Sequence, residues 1–112
     1  MYKKIHRFHG HGSIRWVLAK GTTVRGRLLS LRYEENQGGL KVAVVVSKKV
    51  AKSAVVRNRI RRRVYAIARD CLPPESARGG YVFLVYSPDV ATMSASSLAA
   101  QIQKLVPTQN NR

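Results

Sequence analysis

Acidic residues are scarce in this sequence, and their scarcity limits the chemistry that the chain can perform. Only five Asp and Glu residues accompany 21 Lys and Arg residues, so the 112-residue chain carries a net charge of +16. The acids include no pair suited to general acid–base work, and no Ser-His-Asp or Cys-His set can be placed. No glycine-rich phosphate-binding loop is present either. We therefore expect the polypeptide alone to catalyse no reaction.

Cysteine and long apolar segments are also rare. The single cysteine, Cys71, excludes a disulfide framework within the chain and predicts a buried thiol in a reducing compartment. No apolar run approaches the roughly 18 residues that indicate a transmembrane helix. The basic N-terminal residues lack the apolar segment of a signal peptide. The sequence thus predicts a cytoplasmic protein with no membrane association.

Positive charge is what the sequence has in excess, and it is concentrated in residues 47–71. From Val56 onward, apolar residues recur every three or four positions, which predicts a helix with one core-facing stripe. This stripe comprises Val56, Ile60, Val64, Ile67 and Cys71. The only acid of the segment is Asp70, and its nine basic residues are Lys48, Lys49, Lys52, Arg57, Arg59, Arg61, Arg62, Arg63 and Arg69.

A charged helix face can simply be solvated, but such faces usually mix signs so that residues four apart attract each other. Here no acid occurs from Ser47 to Arg69. Arginine can also hold phosphate through two parallel hydrogen bonds. The pattern therefore favours a nucleic-acid-binding face over a solvated one, with anionic membrane as the competing polyanion.

The chain length predicts one domain. We expect a basic arm over residues 1–12, an RNA-binding α+β domain over residues 13–107 and a frayed tail over residues 108–112. His6, His9 and His11 in the arm match no strong metal-binding motif, so flexible histidines are favoured over a metal site. A short helix is predicted over residues 14–20. Trp16 lies off its apolar side, either at the core edge or as a stacking surface.

The remaining pattern predicts the element order α-β-β-α-β-α. Residues 22–34 are rich in strand-forming residues, as one strand or two, and residues 34–39 form a predicted polar hairpin turn. The apolar runs 40–46 and 81–86 are predicted central strands, the first covered on both faces. Ser53 is the predicted N-cap of the basic helix, and Pro73-Pro74 its stop. A last helix is predicted over residues 94–106.

Two motifs in the basic segment resemble the protein subunit of bacterial ribonuclease P. They are VSKKV at residues 46–50 and VRNRIRR at residues 56–62. An Arg-Asn-Arg core preceded by Ser-Lys-Lys is specific to that family. The pairs Lys3-Lys4 and Arg7-Phe8 resemble its basic start, and the spacing of Ile14, Val17 and Gly21 resembles its first helix and turn. The resemblance covers essentially the whole domain.

This resemblance implies a fold and a role. The fold is a single α+β domain like domain 2 of ribosomal protein S5, with about four strands, three helices and a left-handed βαβ crossover. The role is to bind a catalytic RNA and the 5′ leader of precursor tRNA, and to assist removal of the leader. The RNA carries the chemistry and binds most of the magnesium, so the resemblance implies neither a metal site on the protein nor a required protein partner.

The resemblance also implies two sets of site residues. The set that contacts the catalytic RNA is Lys48, Lys49, Lys52, Arg57, Asn58, Arg59, Arg61 and Arg62. The set that contacts the leader is Ile14, Trp16, Leu18, Arg32 and Tyr33. Ile14 and Leu18 stand where the family commonly has aromatic residues, so Trp16 and Tyr33 are the candidates for stacking.

Two other functions compete with this interpretation. One is a small ribosomal or RNA-chaperone protein of similar fold, and a weaker one is a stand-alone nuclease. Cleavage of precursor tRNA, assayed with and without the cognate RNA subunit, distinguishes all three.

Overall fold

The computed structural model describes residues 21–34, 40–73 and 79–106. In order, these ranges contain β1 (Thr22–Arg25), β2 (Leu29–Glu34), β3 (Lys41–Val46), α1 (Ala54–Cys71), β4 (Gly80–Val85), a 3₁₀ turn (Pro88–Ala91) and α2 (Ala95–Leu105). The predicted helix 14–20, the basic arm and the frayed tail lie outside the described residues. Of the three predicted helices, the two that fall within the described ranges are confirmed as α1 and α2.

The four strands form one mixed sheet in the order β1-β2-β4-β3. β1 pairs antiparallel with β2, β2 pairs antiparallel with β4, and β3 pairs parallel with β4. Residues 22–34 therefore form two strands, which confirms one of the two predicted alternatives. Parallel neighbours cannot be joined by a tight turn, and here α1 makes the connection from β3 to β4. The mixed α+β class predicted from the sequence is confirmed.

Two predictions about strand position are wrong. Residues 40–46 were expected to form a central strand, but among the described residues β3 lies at the sheet edge and pairs only with β4. A hairpin turn was expected over residues 34–39; residues 35–39 lie outside the described ranges, but the strands on either side are not hairpin partners, because β4 separates β2 from β3. The reason is long-range pairing. β4 pairs with a strand on each side and is buried along nearly its whole length. This long-range pairing outweighs the local turn signal of the sequence.

β3 is unusually apolar for an edge strand, but most of its side chains are covered by the rest of the protein. Val42, Val44 and Val46 lie in the main core, and Ala43 on the opposite face is 8% exposed. Only Val45 reaches solvent appreciably, with 39% of its surface exposed. The expectation that both faces are covered therefore holds for all of these residues except Val45.

One hydrophobic core joins the sheet to both α-helices. Alternate residues of β2 and β4 enter it, as the period of two requires, and they meet apolar residues of α1 and α2. The fully buried members at its centre are Leu29, Leu31, Tyr81, Phe83, Ile60, Val64, Leu98 and Ile102. No helix within the described ranges is long and apolar enough to cross a membrane.

Gly26, in the turn between β1 and β2, is required by close packing. A Cβ atom at this position would lie 2.5 Å from the carbonyl oxygen of Leu29 and 3.0 Å from Cδ2 of Leu105. The first contact is with backbone, which cannot rotate away. The hairpin can therefore approach α2 only because this residue has no side chain.

We expect Gly26→Ala to lower the free energy of unfolding by about 1–3 kcal/mol, since overpacking forces the backbone to shift. Urea denaturation of the purified protein measures the change. The control is Thr22→Ala, an exposed position on β1, where a change within about 0.5 kcal/mol is expected. Equal stability of Gly26→Ala and the wild type would show that the turn does not need glycine.

Candidate nucleic-acid interface

Helix α1 begins and ends at signals that the sequence carries. Ser53 is its N-cap, and the Ser53 Oγ accepts a hydrogen bond from the backbone N–H of Val56 at 3.3 Å. Such a cap satisfies one of the N–H groups left unpaired at a helix start. The helix ends at Cys71, two residues before Pro73, and the N–H of Leu72 donates to the carbonyl of Ala68 at 2.7 Å. Both predicted boundaries are confirmed.

The apolar stripe of α1 is also confirmed, with a shift in its second half. Ile60, Val64 and Ala68 are fully buried, so the centre of the stripe follows steps of four residues. The predicted members Val56, Ile67 and Cys71 are only partly buried and pack at its margin. Ala68 was missed because its small side chain contributes little to a hydrophobic pattern.

Cys71 is half-buried rather than fully buried. Burial raises the pKa of its thiol above the ordinary value, and the nearby carboxylate of Asp70 adds to the shift. The thiolate is the reactive form of cysteine. The shift therefore favours the protonated thiol, and Cys71 packs at the edge of the core.

The side of α1 opposite its apolar stripe presents most of the predicted RNA-contacting residues to solvent. Together with the loop at residues 47–53, this side forms what we call the cationic face. Its exposed members are Lys48, Lys49, Lys52, Asn58, Arg59 and Arg62, while Arg57 and Arg61 are partly buried. All eight predicted residues therefore lie on one continuous stretch of loop and helix.

Arg61 and Asn58 are linked to each other. A terminal guanidinium nitrogen of Arg61 donates to the Asn58 Oδ1 at 2.6 Å. A guanidinium carries five N–H donors, so several remain for an external acceptor. The contact orients the Arg61 guanidinium and the Asn58 amide before any ligand arrives.

Arg63 has a different role from the other arginines of α1. Its guanidinium donates to the carbonyl oxygen of Val90 at 2.8 Å and to that of Met93. Both acceptors lie in the segment between β4 and α2, so Arg63 fixes the side of α1 to the 3₁₀ turn. In the sequence Arg63 is one more cation of the basic segment. In the structure it links α1 to the segment that contains the 3₁₀ turn.

The predicted leader-contacting residues are only partly covered by the structure, because Ile14, Trp16 and Leu18 lie outside the described ranges. Arg32 and Tyr33 are neighbours on β2 and therefore point to opposite faces of the sheet. The Tyr33 ring stacks on Tyr81, with ring centroids 5.7 Å apart and planes inclined by 13°, and it packs against the main core. Arg32 lies on the other face, between Thr23 and Val82 on the neighbouring strands.

The Nε atom of Arg32 is buried and has no hydrogen-bond partner. A buried donor without an acceptor costs free energy. Because the atom is enclosed by the protein, an external phosphate oxygen does not reach it in this structure. Arg32 carries the positive charge that an RNA backbone attracts, although it lies on a different element from the cationic face.

Sequence patterns gave no sign of an exposed aromatic residue at the end of β4. Tyr86 is 46% exposed, and its backbone N–H donates to the carbonyl of Leu28 at 2.9 Å, which extends the pairing beyond Val85. It was treated as the last residue of a buried strand, because a continuous apolar run shows no alternation that would mark an exposed position.

The described residues offer charge and hydrogen-bond donors rather than catalytic groups. They contain no cluster of three or more His, Cys, Asp or Glu side chains that could hold a metal ion. Magnesium usually keeps several waters and is held by one or two carboxylates together with phosphates, so this absence concerns only a site built from protein side chains alone. The charge and hydrogen-bond donors of the described residues suit binding of a polyanion.

Comparison with known proteins identifies a family. The family model described as Ribonuclease P matches residues 2–109. A ribonuclease P protein component of Pseudanabaena is 47% identical over 58 residues, a match that covers half of each chain. The ribonuclease P protein component of Microcystis aeruginosa is 29% identical over 112 residues, with 96% of this chain and 92% of that protein aligned.

The fold is similar to that of a solved structure. It is the structure of a Staphylococcus aureus RNase P protein mutant with defective mRNA degradation activity, and it superimposes with a TM-score of 0.77 at 17% identity. The aligned region covers 91% of this chain and 86% of that one. At this identity the likeness concerns the fold, and it agrees with the sheet and helices described above.

Proposed function

The chain belongs to the ribonuclease P protein family, and we propose that it binds the catalytic RNA of that ribonucleoprotein and assists magnesium-dependent removal of the 5′ leader from precursor tRNA. Association with the ribonuclease P RNA follows from membership as a protein component. The cationic face is the observation that supports the proposal most directly. It lies on a helix anchored by its apolar stripe, and no acid interrupts it from Ser47 to Arg69.

The cationic face supplies affinity through phosphate contacts. Each Lys or Arg that neutralises a phosphate releases counterions from the RNA, and this release is a large term in nucleic-acid binding. Arg59 and Arg62 are exposed on α1 and can form two parallel bonds to a phosphate. Asn58 adds an amide that can donate and accept hydrogen bonds. Lysines of the adjoining loop extend the same surface.

The protein contributes positive charge rather than a metal site to the reaction. We assign magnesium mainly to the RNA subunit, because the chain belongs to the ribonuclease P protein family and Mg²⁺ is usually held through phosphates with only one or two carboxylates. Cations close to the RNA reduce the repulsion between phosphates. The protein should therefore lower the magnesium concentration needed for cleavage, in the cytoplasmic setting that we propose for it.

Leader binding is the less defined half of the proposal. The candidates are Ile14, Trp16, Leu18, Arg32 and Tyr33. Arg32 is supported by its positive charge, which attracts a backbone phosphate, while its Nε atom is enclosed by the protein. Tyr33 already stacks on Tyr81 and packs against the core, so any contact with a base would use only its exposed edge. Trp16 remains the candidate for stacking on leader bases.

The experiment that tests the proposed function is cleavage of precursor tRNA by the protein alone, the cognate RNA alone, and both together. We expect no cleavage by the protein alone, and a lower magnesium requirement for the pair than for the RNA. Cleavage by protein alone that a point mutation abolishes would indicate a nuclease. A protein without any effect on the RNA-catalysed reaction would indicate the ribosomal or chaperone alternative, which the family match does not favour.

A further inference from the structure

The loop that precedes α1 contains three lysines, and backbone hydrogen bonds fix its first half. The N–H groups of Val50 and Ala51 both donate to the carbonyl of Ser47, at 3.1 and 3.3 Å. Val50 packs against the core and anchors the turn. Lys48, Lys49 and Lys52 are exposed. The turn orders the first half of the loop, so something else must hold its second half.

Arg57 provides that second attachment. One terminal guanidinium nitrogen of Arg57 donates to the carbonyl oxygens of Ala51 and Lys52, at 2.9 and 2.8 Å. The backbone N–H of Arg57 also donates to the Ser53 carbonyl at 3.0 Å. Hydrogen bonds from a charged donor are about twice as strong as those between neutral groups. Arg57 thus ties the first turn of α1 to the end of the loop.

The position of Arg57 argues against a role as a simple charge. A cation in the first turn of a helix lies at the positive end of the helix dipole, where it is unfavourable. No acid in that turn offsets it. The two loop carbonyls offset the positive charge of Arg57, because their oxygens carry partial negative charge. Arg57 is also a partly buried residue, whereas Arg59 and Arg62 are exposed.

We propose that Arg57 is a positioning residue: it holds the loop at residues 47–53 so that Lys48, Lys49 and Lys52 meet RNA phosphates together. Arg57 acts on RNA affinity through these lysines and not through a phosphate of its own. Binding that must order a mobile loop loses conformational entropy, and a loop that is already held loses less. The inference rests on the proposed function of the cationic face.

A double-mutant cycle tests this inference, with affinity for the cognate ribonuclease P RNA as the readout. The loop variant replaces Lys48, Lys49 and Lys52 by Gln. In the wild-type background, we expect Arg57→Gln to weaken binding by about tenfold, as loss of charged hydrogen bonds would. In the loop variant the same substitution should weaken binding by less than about twofold, because the lysines it acts through are absent.

Arg62→Gln is the matched control, since it removes the same charge from an exposed position on the same helix. It should weaken binding by the same factor in both backgrounds. An equal effect of Arg57→Gln in both backgrounds would show a direct phosphate contact and overturn the inference. If neither Arg62→Gln nor the loop variant weakens binding, the proposed function of the cationic face fails, and the inference falls with it.

Arg57→Lys separates charge from geometry. Lysine keeps the charge but is one bond shorter and lacks the planar fork, so it should not reach both carbonyls and should weaken binding nearly as much as Gln. Affinity close to the wild type would overturn the inference. Amide hydrogen exchange gives a second readout without RNA. At Ala51, whose carbonyl accepts from Arg57, it should accelerate about tenfold in Arg57→Gln and stay unchanged in Arg62→Gln.

Discussion

Ile60→Asp should unfold the protein, whereas Arg59→Ala and Arg62→Ala should leave its melting temperature nearly unchanged. Ile60 is fully buried between α1 and the sheet. An aspartate there loses the apolar contacts and places an unpaired charge in the core, which costs roughly 4–5 kcal/mol or more. A domain of this size is stable by only about 5–15 kcal/mol, so a loss of this size unfolds a protein at the lower end of that range.

Thermal unfolding followed by circular dichroism measures this effect. Arg59 and Arg62 lie one residue before and two residues after Ile60, but they are exposed, so their truncation should change the free energy of unfolding by within about 0.5 kcal/mol. The three variants differ in which side of one helix they alter. Equal losses in all three would mean that the buried and exposed sides of α1 have been wrongly assigned.

Removing charge from the cationic face should produce the largest change in RNA binding. The test variant combines Arg59→Gln with Arg62→Gln, and the control combines Arg27→Gln with Lys104→Gln. The control cations are exposed on the β1–β2 turn and on α2, so both proteins lose two positive charges. We expect the test variant to bind the cognate RNA about 10²-fold more weakly at physiological salt, since each charged contact contributes about 1.5 kcal/mol or more.

The salt dependence distinguishes local contacts from net charge. The slope of log affinity against log salt should flatten by about 1.4–1.8 in the test variant, since each phosphate contact contributes roughly 0.7–0.9. The control should keep nearly the wild-type slope. The same loss of slope in both proteins would mean that the RNA responds to net charge and does not contact α1 specifically.

The arginines of α1 have different roles that sequence patterns do not predict. Arg57, Arg59, Arg62 and Arg63 are indistinguishable as cations along a helix. In the structure, Arg59 and Arg62 face solvent, Arg57 holds two loop carbonyls, and Arg63 holds carbonyls near the 3₁₀ turn. The acceptors of Arg63 lie 27 and 30 residues away along the chain, and no local pattern predicts contacts at that distance.

The sequence alone determined the helical elements of this protein that the structure describes. The bounds of α1, the first half of its apolar stripe and the start of α2 after its N-cap Ser94 follow from caps, prolines and periodicity, which are local signals read within a few residues. The motifs at residues 46–50 and 56–62 were sufficient to identify the family, which the family model confirms over residues 2–109. The concentration of positive charge on α1 was also evident from the sequence alone.

Only the tertiary structure decided which strand is central and which side chains share a face. β3 and β4 are similar apolar runs, and β4 takes the centre because it pairs with both β2 and β3. That choice depends on partners far along the chain, so a local pattern cannot contain it. Arg32 and Tyr33 lie on opposite faces in any strand, because side chains alternate, but the register decides that Tyr33 is the one that faces the core.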